Sequence, residues 1–406
     1  MGRRMAHTAA NLLEHVLPPT PLRQFVLTVP FELRARLAYD GALLGSVGRI
    51  FVDSVLGFYR RKVPLQGSSS PGKSGAVTVV QRVNADLRLN PHFHSIALDG
   101  VFAPNSEDDT LVFHALPQLD PLDVCDLLAV IRARVLRFLL RRGVIEGDEA
   151  LTVLPDGMAE REPLLARLAA AAVSGLAPAG PERRNGMQPL ALGGRRDVEM
   201  AAPLAATSWG FSLHAATTAA PDDERGREAL VRYVLRPPIA QEKLELLDDD
   251  LVRIHLRRPF ADGTVAVDID PLSLLCRLCA AIPPPRFNTV RYSGVLAPAS
   301  QWRPRIVPPL PERASQDAAP GKPKPPTHRC GWRPWHELMK RSFDVDRQCP
   351  ACGGSMKLKG VFTTPQSIDR MLRHLGGATE TPRRAPARDP PSYKSRVLRR
   401  RAGELA

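Results

Sequence analysis

The sequence predicts an α+β fold, with a central antiparallel sheet flanked by helices and a small zinc-ribbon-like unit near the C-terminus. Short segments rich in β-branched and aromatic residues predict the strands. Longer segments with apolar residues at helical spacing predict the helices. A Cys-x-x-Cys pair, Cys349 and Cys352, lies beyond a proline-rich stretch and indicates the last unit.

The most informative strand lies within residues 90–102, where Asp99-Gly100 marks a bend. We expect it to pair with the strand at residues 77–83 in an antiparallel hairpin. The predicted strands cover residues 23–29, 77–83, 91–102, 209–215, 252–256 and 264–268.

Local signals define two of the helices. Asp120-Pro121 supplies a cap and a first-turn proline to one, and Pro237-Pro238 prevents the other from continuing beyond Arg236. The predicted helices cover residues 31–63, 120–142, 164–173, 222–236 and 271–282.

Composition limits the function classes. The chain has 406 residues, which predicts two or three units, and 40 prolines, which predict long linkers. A formal net charge of +14 favours a polyanionic partner, although a merely basic soluble protein has the same property. The six cysteines do not suggest a disulfide framework, and we find no apolar run of membrane-spanning length and no signal core. We therefore expect a cytoplasmic protein with no membrane partner.

His92 and His94 lie two residues apart on the predicted strand, so both side chains project from the same face. Two neutral imidazoles held in this way form half of a divalent-metal site. A His-x-His pattern also arises by chance in strands. A helix-borne tyrosine, Tyr233, and the basic charge supply the context that favours a metal site.

Three motifs in order carry a resemblance to a known family: Arg23 to Pro30, Asn90 to Phe102 with its His-hydrophobic-His core, and Arg232-Tyr233 with Arg236-Pro237-Pro238. Residues 291–298 and 349–354 add further matches. The chain resembles the rolling-circle insertion-sequence transposases of the HUH nuclease group over residues 5–376. Ala229 occupies the position one turn before Tyr233, which is typical of the single-tyrosine type.

The resemblance implies a transposase that cuts and rejoins single-stranded DNA through a 5′-phosphotyrosine. Tyr233 is the expected nucleophile, with Tyr292 as the alternative, and Arg236 is expected to support it. His92 and His94 are expected to hold Mg²⁺ or Mn²⁺, with His214 as the candidate third ligand or simply a core or surface histidine. The expected partners are single-stranded element ends and target DNA in a bacterial cytoplasm, near the nucleoid.

Two alternatives remain open at this point. The chain could be a catalytically impaired DNA-binding remnant of a mobile element, because similar transposases begin with a cysteine-rich zinc module and no cysteine precedes Cys125 here. It could also be a related replication initiator or relaxase. The expected organisation is a module remnant at 1–21, a catalytic domain at 22–282 with a low-information insertion at 143–205, a linker at 283–331, the Cys-x-x-Cys unit at 332–376 and a basic disordered tail at 377–406.

Cys349 and Cys352 provide only half of a structural Zn²⁺ site. A dimer could complete the site, or the site could have been lost. Further candidate ligands within the chain are His328, Cys330, His336 and His374.

Basic residues near the predicted site are candidates for DNA contact: Arg82, Arg88 and Arg232. A second set, Arg132, Arg134, Arg137, Arg141 and Arg142, is expected to point outward from the helix at 120–142, either as a solvated face or as a DNA-backbone contact. Residues 67–74 match the phosphate-loop pattern, but a helix precedes them and a predicted strand follows. We therefore interpret this segment as a connector.

Overall fold

The computed structural model divides the chain into two compact units, residues 8–318 with 395–406 and residues 1–7 with 319–394. It describes residues 2–65, 71–147, 151–178, 198–239, 243–248, 250–260, 262–283, 287–307, 364–374, 376 and 397–401.

A seven-stranded antiparallel sheet forms the centre of the larger unit, in the order β14-β2-β3-β1-β10-β9-β8. The expected α+β class with a central antiparallel sheet is therefore confirmed. The strands of this sheet are β1 (Leu22–Thr28), β2 (Gly75–Val83), β3 (Leu89–Leu98), β8 (Glu199–Ala202), β9 (Ala205–Ser208), β10 (Phe211–Ala219) and β14 (Val290–Gly294). Two small hairpins join β4 (Gly100–Pro104) to β5 (Leu111–Ala115) and β6 (Ile145–Glu146) to β7 (Thr152–Val153).

The described helices begin and end close to the sequence signals. Asp120 caps α4 through a capping box with Asp123, as the Asp-Pro pattern predicts. The helices are α1 (Gly2–His15), α2 (Phe31–Tyr39), α3 (Gly41–Lys62), α4 (Pro121–Arg141), α5 (Met158–Arg161), α6 (Pro163–Ser174), α7 (Glu224–Leu235), α8 (Pro271–Ala281), α9 (Arg303–Ile306) and α10 (Pro365–His374).

The two faces of the sheet are covered by different helices. On one face, Phe25 and Phe93 pack with α2, α3 and α4 in the largest hydrophobic cluster. On the other face, Ile96 packs with α1 and α7 in a second cluster. Successive residues of a strand alternate between these faces, so the even-numbered residues of β3 face α7.

Helix α3 is long and apolar enough to cross a membrane by length and composition alone, which our sequence analysis did not anticipate. Half of its most apolar window is buried inside the protein. Leu44, Val47 and Phe51 are completely buried in the main cluster. The apolar character of α3 is therefore explained by its place beneath the sheet.

A four-stranded sheet has the order β11-β12-β13-β15, with β11 at Leu244–Leu246, β12 at Val252–His255, β13 at Thr264–Ile269 and β15 at Val397–Arg401. Residues 397–401 of the segment expected as a disordered tail form strand β15, and the rest of 377–406 lies outside the described residues. Asp268 is fully buried and binds Arg253 and Arg400. Burial opposes ionisation of Asp268, but hydrogen bonds from the two guanidinium groups lower its pKa.

Three more of our expected boundaries do not match the described structure. Residues 8–15 of α1 lie in the larger unit, where Ala9 and Leu12 join the second cluster, so residues 1–21 are not separate from the core. The segment 143–205 contributes β8 and part of β9 to the central sheet. The segment expected as a linker contributes β14, because the strand around Tyr292 pairs with β2.

In the smaller unit, α10 places His374 on an exposed surface. Cys349, Cys352, His328, Cys330 and His336 lie outside the described residues, as does most of the expected zinc-ribbon-like unit.

Candidate active site

His92 and His94 lie side by side on β3 because the strand alternation places both on the face that α7 covers. Their ring centroids are 4.9 Å apart. Phe93, between them, points to the opposite face and packs against Phe51. Both histidines are buried, with His92 8% exposed and His94 2% exposed. The sequence prediction of a paired arrangement agrees with this geometry.

The hydrogen bonds of the two rings leave their Nε2 atoms for other partners. His92 Nδ1 lies 2.6 Å from the Asn90 carbonyl oxygen. A carbonyl only accepts, so Nδ1 carries the proton and Nε2 carries the lone pair. The Gln24 Nε2 amide nitrogen lies 2.7 Å from His94 Nδ1 and donates to it, so in this orientation His94 Nε2 carries the ring proton. His94 Nε2 is buried without a hydrogen-bond partner in the described structure.

Both imidazoles are held in the neutral form. Burial lowers the pKa of His92 to about 4, and the charge of Arg236 adds to the effect. Burial lowers the pKa of His94 to about 3, with smaller contributions from His92 and Arg236. A neutral imidazole is the form that binds metal ions, so the environment selects the ligating state at neutral pH.

Tyr233 lies on α7, directly beside the histidines. Asp223 caps the helix by accepting the Gly226 N–H at 2.8 Å, and Pro237 stops it. The Tyr233 and His94 ring centroids are 5.7 Å apart in an edge-to-face arrangement. Tyr233 is 41% exposed, so one side of the ring contacts the site and the other faces solvent.

Two side chains fix α7, one to the turn before β1 and one to strand β2. Arg227, in the first turns of α7, is buried and donates to the Thr20 carbonyl at 2.6 Å and to the Pro18 carbonyl at 2.8 Å. At the other end, Gln81 donates to the Val234 carbonyl at 2.9 Å. Gln81 is the β2 partner of His92, so this bond joins the histidine strand pair to the turn that carries Tyr233.

Arg236 places a positive charge against the tyrosine. Its guanidinium carbon lies 4.4 Å from the centroid of the Tyr233 ring. Such a stacked cation stabilises negative charge that develops nearby, on the phenol oxygen or on an approaching phosphate. The side chain is exposed and therefore accessible to a ligand.

The residues present fit a divalent cation at the two histidines, because both rings are neutral, His94 Nε2 has no partner in the described structure, and a half-turn of the Gln24 amide gives that nitrogen the lone pair a metal needs. His214 does not complete a three-ligand group. It pairs with Val26, which pairs with His94 on the other side, so two interstrand spacings of about 4.8 Å each separate the histidines. Among the described residues there is no cluster of three His, Cys, Asp or Glu side chains suited to a metal.

Two of the candidate DNA contacts occupy internal positions. Arg82 is buried and donates to the carbonyls of Ala38 at 2.7 Å and Ala280 at 3.0 Å, at the ends of α2 and α8. This corrects its interpretation as a phosphate contact, because helix carbonyls already occupy its guanidinium. Arg88 is partly buried and forms an ion pair with Asp86 at 2.6 Å.

Arg232 is exposed on α7, next to Tyr233. The arginine stripe of α4 is only partly as predicted. Arg132 is buried and donates to the Ser208 hydroxyl, which corrects its outward assignment, and Arg134 donates to the Ser54 hydroxyl at 2.7 Å. The members of the stripe that are exposed are Arg137, Arg141 and Arg142.

Tyr292 and the phosphate-loop pattern lie away from the histidines. Tyr292 is on the edge strand β14, two strands from β3, with its ring against Arg303. Lys73 and Ser74 lead into β2 rather than into a helix, which agrees with our interpretation of the segment as a connector.

Sequence reasoning did not identify Gln24 or Gln81 as site residues. Gln24 is 3% exposed and lies on the face shared with His94, between the apolar Leu22 and Val26 of the same strand face. A polar side chain in the middle of such a strand is the one signal that indicates it.

The chain matches a known protein family. A family model described as "Putative transposase" matches residues 75–303, which is more than half of the chain and includes β3, α7 and β14. Neither the curated proteins nor the solved structures give a match. The matched segment contains both histidines and Tyr233. The chain therefore belongs to this transposase family.

Proposed function

We propose that this transposase cuts and rejoins single-stranded DNA by rolling-circle transposition, with Tyr233 as the nucleophile. The contact between the exposed Tyr233 ring and the buried His94 ring carries the proposal. These residues lie 139 positions apart in sequence. The fold nevertheless brings a nucleophilic side chain to two neutral imidazoles with available nitrogen atoms.

The proposed cut is a transesterification. The Tyr233 oxygen attacks the scissile phosphorus, a new O–P bond forms, and the bond from phosphorus to the 3′ oxygen breaks. The phenol proton passes to solvent, and the leaving 3′ oxygen takes up a proton. The products are a free 3′-hydroxyl and a 5′-phosphotyrosine. Attack by a 3′-hydroxyl on that phosphotyrosine reverses the step and joins strands without ATP.

His92 and His94 would hold Mg²⁺ or Mn²⁺ through Nε2. A bound divalent cation withdraws charge from a phosphate and aligns it for attack. Gln24 and the Asn90 carbonyl orient the two rings, while Arg236 supplies a fixed positive charge beside the phenol. Arg227 and Gln81 hold α7 so that the ring of Tyr233 stays against His94.

The remaining assignments follow from the resemblance and are proposed with it. They are Arg232 as an exposed DNA contact, Cys349 and Cys352 as ligands of a structural Zn²⁺, and a bacterial cytoplasmic location close to the nucleoid.

The test is covalent capture of a single-stranded oligonucleotide labelled at its 3′ end. In the proposed reaction the labelled fragment stays attached to the protein and migrates with it on a denaturing gel. Tyr233→Phe should abolish the adduct, whereas Tyr292→Phe should retain it. A chelator should also reduce the adduct, and Mn²⁺ should restore it. Formation of the adduct by Tyr233→Phe would exclude Tyr233 as the nucleophile.

A further inference from the structure

A basic cleft lies at a distance from Tyr233, between α3, α4 and the loops on either side of the sheet end. Its volume is about 780 Å³. The charged and aromatic residues that line it are Asp53, Arg60, Arg61, Lys73, Arg134 and Trp302.

A second cleft of about 600 Å³ shares Arg134 with the first. Arg137 and Arg141 line it, and both follow Arg134 at helical spacing on α4. The two clefts together form one track with six cationic side chains, which we call the basic track: Arg60, Arg61, Lys73, Arg134, Arg137 and Arg141.

The charges of the basic track are not neutralised within the described part of the chain. Asp53 is the one carboxylate in the lining of either cleft. None of the six cations forms an ion pair with a described residue, whereas the neighbouring Lys62 pairs with Asp123 at 2.6 Å. Six cations against one carboxylate around concave surfaces favour a polyanion.

The basic track is separate from the histidine site. Helices α3 and α4 pack on the face of the sheet opposite to His94. Lys73, two residues before β2, precedes Val79, the strand partner of His94, by six residues, or about 20 Å at ~3.3 Å per extended residue. The phosphate that Tyr233 would attack therefore cannot occupy the basic track at the same time.

Trp302 gives the track a base-binding element. Its ring lies in the first cleft, and the Lys73 ammonium is 4.3 Å from its centroid. Aromatic rings combined with cations along a groove are the usual elements that bind single-stranded nucleic acid, since bases stack on the rings and phosphates meet the cations.

We propose that the basic track binds a single-stranded DNA segment outside the scissile site. The identity of the bound strand rests on the proposed function. The existence of a surface that binds a polyanion does not. The segment would be a flank of the cut strand, held by its phosphates along α4 and by base contact at Trp302.

The experiment uses the full chain carrying Tyr233→Phe, so that binding is measured without cleavage. One variant adds Arg137→Gln and Arg141→Gln, and a second adds Arg60→Gln and Arg61→Gln. The matched control adds Arg257→Gln and Arg258→Gln, which removes the same charge from exposed positions outside the track. Fluorescence anisotropy with a labelled single strand, and with its duplex, is recorded across a salt series.

Each track variant should bind the single strand about tenfold more weakly at physiological salt. The slope of log affinity against log salt should fall by roughly 0.7 per lost phosphate contact. The control should match the parent. A photoreactive base in the oligonucleotide should cross-link to Trp302. Equal binding by track and control variants, in proteins with the circular dichroism of the parent, would overturn the proposal.

Three further outcomes separate the hypotheses. If the duplex binds more tightly and depends equally on the track, the single-strand assignment is wrong. If the track variants lose binding while the protein with Tyr233 intact forms no covalent adduct, the basic track stands and the proposed cleavage reaction fails. If the adduct forms and the track variants bind normally, the proposed cleavage reaction stands and the basic track is wrong.

Discussion

Two groups of buried polar side chains lie at β3 and the turn that follows it. They differ in how many of their polar atoms have a hydrogen-bond partner. Asp99, just after the strand, accepts two hydrogen bonds from Arg23 at 2.9 Å each and one from Tyr59 at 2.8 Å. His92 and His94, in the strand itself, each have a partner at Nδ1, but His94 Nε2 is buried with none.

The difference separates a structural network from a candidate reaction site. Arg23 also donates to the Ala215 carbonyl at 2.9 Å, so the Asp99 network joins β1, α3 and β10. Burial and the Asp99 carboxylate raise the pKa of Tyr59 well above its ordinary value, which keeps its hydroxyl a donor. An unpartnered buried nitrogen, in contrast, costs free energy of folding unless a ligand satisfies it.

Replacement of both histidines should have the largest effect on activity. His92→Ala combined with His94→Ala should reduce covalent adduct formation by about a thousandfold or more, because several kcal/mol of charge stabilisation at the phosphate are lost. The free energy of unfolding should change much less. Rates are measured by adduct capture and stability by urea denaturation. Adduct formation at the parent rate would refute the metal assignment.

Asp99→Ala should have the largest effect on stability. Its removal leaves the Arg23 guanidinium buried without its carboxylate, and we expect the free energy of unfolding to fall by about 3–5 kcal/mol. Glu107→Ala removes a carboxylate from an exposed position and is the matched control. Urea denaturation of both variants measures the difference. A loss equal to that of the control would show that the network does not stabilise the fold.

The pH dependence of stability distinguishes the two groups further. The pKa values of His92 and His94 are lowered to about 4 and about 3 in the folded protein, from 6.5. Between these values the unfolded chain binds protons that the native state does not, so stability falls as pH decreases. The loss should approach about 1.4 kcal/mol per pH unit for each histidine.

A variant with His92→Gln and His94→Gln lacks these groups and is the comparison for that measurement. Urea denaturation with a chelator present, from about pH 7 down to about pH 4, should show a smaller decline for the variant. Parallel curves would mean that the pKa values of both histidines are the same in the native and the unfolded protein.

The parts of the site that the sequence predicted depend on local rules. Strand alternation is sufficient to place His92 and His94 on one face, and Pro237 is sufficient to end the helix of Tyr233. The predicted start at residue 222 lies two residues before the observed start, where Asp223 caps Glu224–Leu235. Strand β14 was missed because its pairing with β2 is long-range and its surroundings are rich in proline. Which face of the sheet α7 covers is likewise decided by packing, not by any local pattern.

The sequence also could not predict which arginines are buried and which are exposed. Arg82 and Arg132 look the same as Arg137 in a count of charges, yet the first two are buried against a carbonyl or hydroxyl and the third is exposed. A guanidinium offers five donors, so it binds helix-end carbonyls as readily as phosphates. Only the tertiary structure decides between these uses.

The smallest expected effect is that of replacing Gln24. This residue contacts His94, whose Nε2 atom distinguishes the histidine group from the Asp99 network. Its amide lies 2.7 Å from His94 Nδ1. In the structure the amide nitrogen faces the ring. A half-turn of the amide brings its oxygen to the same position, where it accepts the Nδ1 proton and leaves the Nε2 lone pair for a metal. Gln24→Leu should therefore weaken Mn²⁺ binding about tenfold, whereas Gln24→Glu, which also accepts from Nδ1, should retain it.

Mn²⁺ binding is measured by electron paramagnetic resonance of the free ion, without any cleavage assay. A purely structural role for Gln24 would lower stability in both variants and leave the two affinities equal. Equal affinities would therefore show that His94 needs no orienting partner, and the contrast with the fully bonded Asp99 would then reflect burial alone.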